Sequence, residues 1–228
     1  MNILLIEVEE LEGDGRVRLA GRRAEHLRKV LRVQAGDRVR AGIVGGQRGE
    51  AVVRAVEREE RGAKKTTLIT LEWRPPPDSL GEDSRPENAG RSERETAVDL
   101  LVALPRPAVL HRVLQHAATF RVRRVDLVNA WKVEKSFFQS PALEPGALRR
   151  HLLLGAEQGG HTHLPEVGVH RLLMPHLEAE AERRSGAEDV RLLAHPRAPR
   201  PIERACAGAF RAGRGCVRLA IGPEGGWT

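Results

Sequence analysis

Ala97-Val98-Asp99-Leu100-Leu101-Val102-Ala103-Leu104 is an apolar run of strand length with a single acid, Asp99. Beyond Pro105-Arg106-Pro107, the apolar residues Val109, Leu110, Val113, Leu114, Ala117 and Ala118 recur at helical spacing, with Arg112 and His116 on the other side. A fully buried strand followed at once by an amphipathic helix is the unit of an α/β fold. The rhythm continues through a strand over Val125 to Val128 and a helix from Pro145 carrying Leu148, Leu152 and Ala156. A strand at Val167-Gly168-Val169 and a helix around Leu177 to Arg184 come next, then strands over Val190 to Ala194 and Val217 to Ile221. Residues 97–228 therefore read as a mostly parallel sheet covered on both faces.

Upstream the rhythm differs. Asn2 to Val8, Arg16 to Leu19, Asp37 to Val44, Glu50 to Val56 and Thr66 to Leu71 are short β-like segments. Gly13-Asp14-Gly15 and Gly45-Gly46 supply turns between them. One helical patch interrupts, with Ala24, Leu27, Val30 and Leu31 forming an apolar stripe. Residues 1–74 read as a small β-barrel with one helix laid across it. Between the two parts, Pro75 to Thr96 holds six acids, three arginines and one large apolar residue, Leu80. Such a segment cannot repay the entropy of ordering and reads as a linker.

The 228 residues include 38 basic and 31 acidic side chains, net +7; five lysines leave 33 arginines. The linker is net −3, so the basic charge belongs to the folded parts. Hydrophobic content of 40% excludes wholesale disorder. No apolar run approaches the ~18 residues a bilayer span requires. The start, Met1-Asn2-Ile3-Leu4-Leu5-Ile6, turns acidic at Glu7 and does not have the pattern of a signal peptide. Two cysteines, Cys206 and Cys216, form no disulfide framework, which fits a cytoplasmic protein. Aromatics are 3% with no tyrosine, so nucleic-acid binding would proceed through arginine rather than base stacking.

The charge is concentrated. Arg16 to Arg40 contains nine basic residues against Glu25 and Asp37. That density exceeds mixed surface patterning and points to a phosphate-tracking patch centred on Arg22, Arg23, His26, Arg28, Lys29 and Arg32. No phosphate-binding loop and no Gly-x-Ser-x-Gly elbow is present, which disfavours nucleotide-dependent and triad-hydrolase chemistry. His151, His161, His163, His170 and His176 have no Cys or acidic partner at ligand spacing, so no metal site is expected. Two strand ends stand out instead. Ile221-Gly222-Pro223-Glu224-Gly225-Gly226 and Leu193-Ala194-His195-Pro196 each follow a strand, where parallel sheets bind ligands. Each can equally be a plain turn.

Ala24-Glu25-His26-Leu27-Arg28-Lys29-Val30-Leu31-Arg32-Val33-Gln34-Ala35-Gly36-Asp37 resembles the N-terminal signature of the bacterial 16S rRNA uracil-N3 methyltransferases. Ala103-Leu104-Pro105-Arg106, Ala156-Glu157-Gln158, Leu164-Pro165-Glu166-Val167, His195-Pro196 and Ile221 to Gly226 match the same family in order. The resemblance implies a PUA-like RNA-binding barrel (1–74), the linker (75–96) and a SPOUT methyltransferase domain (97–228) with a trefoil knot in the complete family fold. It further implies a homodimer that takes S-adenosylmethionine against Leu193, His195, Pro196 and Ile221 to Gly226, and acts on 16S rRNA of the small ribosomal subunit. Arg106 and Glu224 are then the candidate catalytic residues, with the general base unassigned. The chain differs from the family pattern at Ala108, Thr119, Arg121 and Gly159-Gly160-His161. The family also continues beyond the position of Thr228, so a C-terminally truncated SPOUT domain is expected. Two other readings stand beside this one: a non-catalytic RNA-binding or ribosome-assembly protein, and a methyltransferase for a different RNA base.

Overall fold

The structure, a computed structural model, describes residues 2–61, 64–76, 97–183, 190–212, 216–223 and 225–227. Most of the expected linker, residues 77–96, and the candidate Glu224 lie outside them. Contacts divide the chain into two units, Met1–Gly90 with Glu157–His163, and Arg91–Ala156 with Leu164–Thr228.

The first unit is a five-stranded mixed sheet built from β1 (Leu4–Ile6), β2 (Arg16–Leu19), β3 (Arg38–Ile43), β4 (Arg48–Arg61) and β5 (Lys64–Arg74), in the order β1-β3-β4-β5-β2. β1 pairs parallel with β3, and the remaining pairs are antiparallel. β4 and β5 run longer than their apolar cores suggest because a hairpin carries the ladder past Val56 into charged residues. A bulge between Val53 and Ala55 re-aims the second half of β4. Leu4, Ile6, Val17, Leu19, Ala41, Val53, Ile69 and Leu71 close the core.

The helical patch corrects one expectation. α1 (Gly21–His26) passes into a π-helical turn over Leu27–Leu31, which ends at Arg32 with φ 54°. A π-turn inserts an extra residue into the helical period, so the 3.6-residue stripe is lost after Leu27. Ala24 and Leu27 are buried as expected, whereas Val30 and Leu31 face solvent, and Val33 fills the core in their place.

The second unit is an all-parallel sheet of β6 (Ala97–Ala103), β7 (Arg124–Val128), β8 (Glu166–His170), β9 (Val190–Ala194) and β10 (Cys216–Ile221), ordered β8-β7-β6-β10-β9. Its helices are α2 (Pro107–Thr119), α3 (Pro145–Gly159), α4 (Leu173–Arg183) and α5 (Ile202–Ala212). The last of these is absent from the sequence reading. Side chains alternate strictly across the strands. One face presents Val102, Val125 and Leu127 to Leu110, Leu114, Ala117 and Ala118 of α2. The other carries Asp99, Arg124, Asp126 and Arg218, and α4 covers it with His176 and Glu180.

Candidate functional site

From β6 the chain moves outward through β7 to β8, then returns to place β10 on the opposite side of β6. The strand order therefore reverses between β6 and β10, and a parallel sheet opens its crevice at the carboxyl ends of the strands flanking such a switch. Register fixes which residues reach that rim. Val102 pairs with Ile221 and Ile221 with Ala194, while Ala103 pairs with Val128. Arg106, His195, Gly222 and Asn129 consequently follow neighbouring strand ends along one edge.

Arg106 is the exposed N-cap residue of α2, and its carbonyl accepts from the amides of Val109 and Leu110 at 2.8 and 3.0 Å. Leu193 is exposed in β9, opposite Ala220. His195 Nδ1 accepts from the Arg197 amide at 3.1 Å, and Pro196 is exposed beside it. Beyond Ile221, the Gly226 amide donates to the Pro223 carbonyl at 2.8 Å and Gly226 adopts φ 83°, closing a tight turn. A Cβ at Gly222 would stand 2.8 Å from Trp227 Nε1, and one at Gly225 would stand 2.7 Å from Cδ of Lys132. Lys132 Nζ donates to the Gly225 carbonyl at 2.5 Å. Trp227 and Lys132 are thus site residues that the strand-end reading missed. Lys132 carried a usable signal, since Asn129-Ala130-Trp131-Lys132 follows β7 directly at the same edge.

The basic segment sorts differently from its sequence. Arg22 donates to Glu157 at 2.6 Å, and that carboxylate is nearly fully buried. Arg23 turns inward, donating to the Leu5 carbonyl at 2.7 Å and to both carboxylate oxygens of Glu10. A half-buried arginine needs partners, and here they come from the chain. Arg28 and Lys29 both bond Glu25, at 2.9 and 2.8 Å. Lys29, the Thr67 hydroxyl and Arg28 hold the Glu25 carboxyl down to about 2. His26 is half-buried, and Arg32 is exposed at the left-handed end of the π-turn.

A stronger basic feature lies elsewhere in this unit. A groove of about 1000 Å³ is lined by Asn2, Arg40, Arg48, Glu50 and Arg74 with Pro75 and Pro76 at its end. The three arginines are exposed and come from β3, β4 and β5. Strand register brings them together, which spacing along the chain could not disclose.

The expectation of no metal-ligand set also meets a different geometry. Asp126, His170 and His176 come from β7, β8 and α4, and their ligand atoms all lie within 4.8 Å of one another. Along the chain Asp126 is distant from both histidines; the parallel pairing of β7 with β8 makes it a neighbour.

Residues 92–228 match the RNA methyltransferase domain family. The chain is 23% identical over 169 residues to ribosomal RNA small subunit methyltransferase E 1 of Borreliella burgdorferi, covering 74% of this chain and 61% of that protein. It is 26% identical over 174 residues to ribosomal RNA small subunit methyltransferase E of Treponema pallidum, covering 74% of this chain and 56% of that one. The chain thus spans about three fifths of the length of these relatives. The fold is shared with the crystal structure of a ribosomal RNA small subunit methyltransferase E from Neisseria gonorrhoeae bound to S-adenosyl methionine. The TM-score is 0.58 at 17% identity, over 99% of this chain and 81% of that one. No helix among the described residues is long and apolar enough to cross a membrane. With its family matched across the whole parallel sheet, including the strand-order reversal between β6 and β10, the chain belongs to the RNA methyltransferase domain family.

Proposed function

We propose that this chain is the RNA-binding and cofactor-binding part of an S-adenosylmethionine-dependent methyltransferase that modifies N3 of a uridine in 16S rRNA. Residues 1–74 serve as the PUA-like RNA-binding module, 75–96 as a linker and 97–228 as the methyltransferase domain, in a cytoplasmic homodimer. The single observation that supports this reading is the pairing of Val102 with Ile221 at the strand-order reversal, after which Arg106 and Gly222 each follow a strand end. Glycines at 222 and 225 let the Trp227 ring and the Lys132 side chain lie directly on the strand-end backbone, and the buried Trp227 indole nitrogen has no hydrogen-bond partner. An orphaned buried donor at a binding edge calls for an acceptor from a ligand. Leu193, His195, Pro196, Ile221, Gly222, Pro223, Gly225 and Gly226 would hold the cofactor, and Glu224, outside the described residues, belongs to the same proposed set.

When bound, S-adenosylmethionine supplies an electrophilic methyl group. The rest falls to the chain. Uracil N3 is protonated at neutral pH and lies on the Watson–Crick edge, so the base must be unpaired and its N3 proton removed. The negative charge then spreads onto O2 and O4. Arg106, a permanent cation at the strand end, stabilises that charge and lowers the cost of losing the proton. Its backbone role in starting α2 fixes where the guanidinium begins.

Tritiated methyl transfer by the full-length protein to undermethylated small subunits, followed by nucleoside analysis, tests this. Incorporation as 3-methyluridine is expected, and Arg106→Ala should cut kcat/KM by roughly 100-fold, the cost of losing one charge-stabilising donor. Incorporation at blank level would remove the proposal. A second reading, an RNA-binding assembly protein without catalysis, draws on the Trp227 ring lying over Gly222. Calorimetry selects it if RNA binds and S-adenosylmethionine does not.

A further inference from the structure

Asp126, His170 and His176 lie on the polar face of the parallel sheet, with His170 at the carboxyl end of β8 opposite Val128. Asp126 stands in mid-β7, His170 ends β8 and His176 sits in the first turns of α4. The Asp126 and His176 side chains are almost fully buried, and about a quarter of His170 reaches solvent. His170 Nε2 is 2.8 Å from Asp126 Oδ1, and His176 Nε2 is 3.8 Å from Asp126 Oδ2. The two imidazoles stack with ring centroids 3.8 Å apart and planes 26° from parallel. His176 Nε2 is buried without a hydrogen-bond partner.

We propose that Asp126, His170 and His176 bind a divalent transition metal, zinc by preference, that ties β7, β8 and α4 together. Three independent features support it. The first is spacing: one ligand atom from each of the three residues lies within 4.8 Å of the others, so small side-chain shifts bring all three to the distance of about 2.0–2.1 Å typical of zinc. The second is room. A Cβ on Gly168 would fall 2.6 Å from both Asp126 Oδ1 and His170 Nε2, so only glycine leaves the centre of the cluster open. The third is the outer shell. Arg124 Nε lies 3.0 Å from both Asp126 carboxylate oxygens and orients them, as hydrogen-bonded groups behind metal-ligating carboxylates do. One aspartate and two neutral imidazoles form a borderline donor set suited to zinc rather than magnesium or calcium. The solvent edge at His170 leaves a fourth position for water. The site is structural in character, because it clamps three elements: β7, β8 and α4.

The test uses the full chain after chelator dialysis. Cobalt(II) titration should give the visible absorption of a four-coordinate site, and dialysis against micromolar zinc should leave about one equivalent per chain. Zinc should raise Tm by at least about 3 °C, since a ligand that binds only the folded state stabilises it. His170→Gln and His176→Gln should each weaken cobalt binding at least 100-fold, whereas His116→Gln, an exposed control on α2, should leave it unchanged. His170→Gln keeps the test open should the more buried His176 variant fold poorly. Wild-type protein retaining less than a tenth of an equivalent would overturn the proposal. So would cobalt binding that survives both substitutions, leaving Asp126 and His170 a hydrogen-bonded pair only.

Discussion

Asp99 is fully buried on the polar face of the parallel sheet, and three neighbours hold its charge there. Arg123 donates to it twice, at 2.8 and 2.6 Å, and Arg218 approaches at 3.4 Å. Burial by itself pushes this carboxyl up, but the Arg123 bonds and charge, the Cys216 thiol and Arg218 outweigh it and bring it from 3.8 down to about 2. A carboxyl lowered on folding stabilises the native state above its unfolded value, and that contribution is lost as pH falls from about 4 through about 2. The linked stability is roughly 2 kcal/mol. Asp99→Asn should therefore flatten the acid limb of a urea-midpoint series over that window. At neutral pH it should cost about 3 kcal/mol, because two guanidinium groups lose their shared carboxylate. An unaltered acid limb would contradict the assignment. Gly155 exerts a different constraint: a Cβ there would sit 2.1 Å from the Gln115 carbonyl and 2.8 Å from the Ala118 Cβ, so α3 crosses α2 at backbone distance. Thr119 uses that proximity to donate to the Gly155 carbonyl at 3.1 Å. Gly155→Ala should lower stability by about 1–3 kcal/mol through overpacking, despite its gain in helix propensity, as thermal unfolding would report.

Elements were legible in the sequence to the degree that one face of each is apolar. The runs at Ala97 and Val125 announced β6 and β7, and the stripe from Val109 to Ala118 announced α2, because burial there follows a single period. The reading ran out where hydrogen bonding rather than hydrophobicity decides. The β4–β5 ladder extends into Glu57 and Arg58, which no alternation marks, and the π-turn at Leu27–Leu31 breaks a stripe that looked intact. α5 escaped because Arg204 and small residues dilute its apolar face; within it, the buried Cys206 packs on Val217. The site followed the same logic. Glycine-rich strand ends are visible locally, whereas the Asp126 cluster and the arginine groove exist only once strands are paired. Arg23 shows the cost of reading charge without partners. It links α1 to the Leu5 carbonyl in β1 and to Glu10, whose carboxyl it lowers against the opposing effect of burial. Arg23→Ala should destabilise the chain by about 2 kcal/mol, the worth of charge-assisted bonds in a half-buried setting. The shift should appear in the urea midpoint and leave RNA affinity, measured on the folded protein, unchanged.

At the scale of the whole molecule, a net charge of +7 carried almost entirely by arginine determines how the chain meets a polyanion. Arginine stays charged at any physiological pH and grips phosphate through a planar fork, so binding should respond to salt rather than to mild changes of pH. The charges are unequal in effect, however. Arg22, Arg23, Arg28 and Lys29 each have a carboxylate within 3 Å, and a cation already paired to the protein releases little from an RNA's counterion atmosphere. Arg40, Arg48 and Arg74 line an open groove whose acidic member among the lining residues is Glu50, and Arg74 makes a longer contact, 3.4 Å, with Glu72. The groove should therefore dominate the electrostatic part of binding. Each phosphate contact to a single strand contributes about 0.7 to the slope of log affinity against log salt concentration, so changing all three arginines to glutamine should reduce that slope by about 2. Affinity in moderate salt should fall by one to two orders of magnitude, roughly in line with losing three such contacts. The Arg23→Gln variant should leave the slope unchanged, since its guanidinium is directed inward. Fluorescence anisotropy with a uridine-containing single strand across a salt series measures both slopes in one experiment. Equal slopes for the wild type and the triple variant would show that the groove does not carry the RNA, and would return the role to the exposed charges around Arg32 and Arg38.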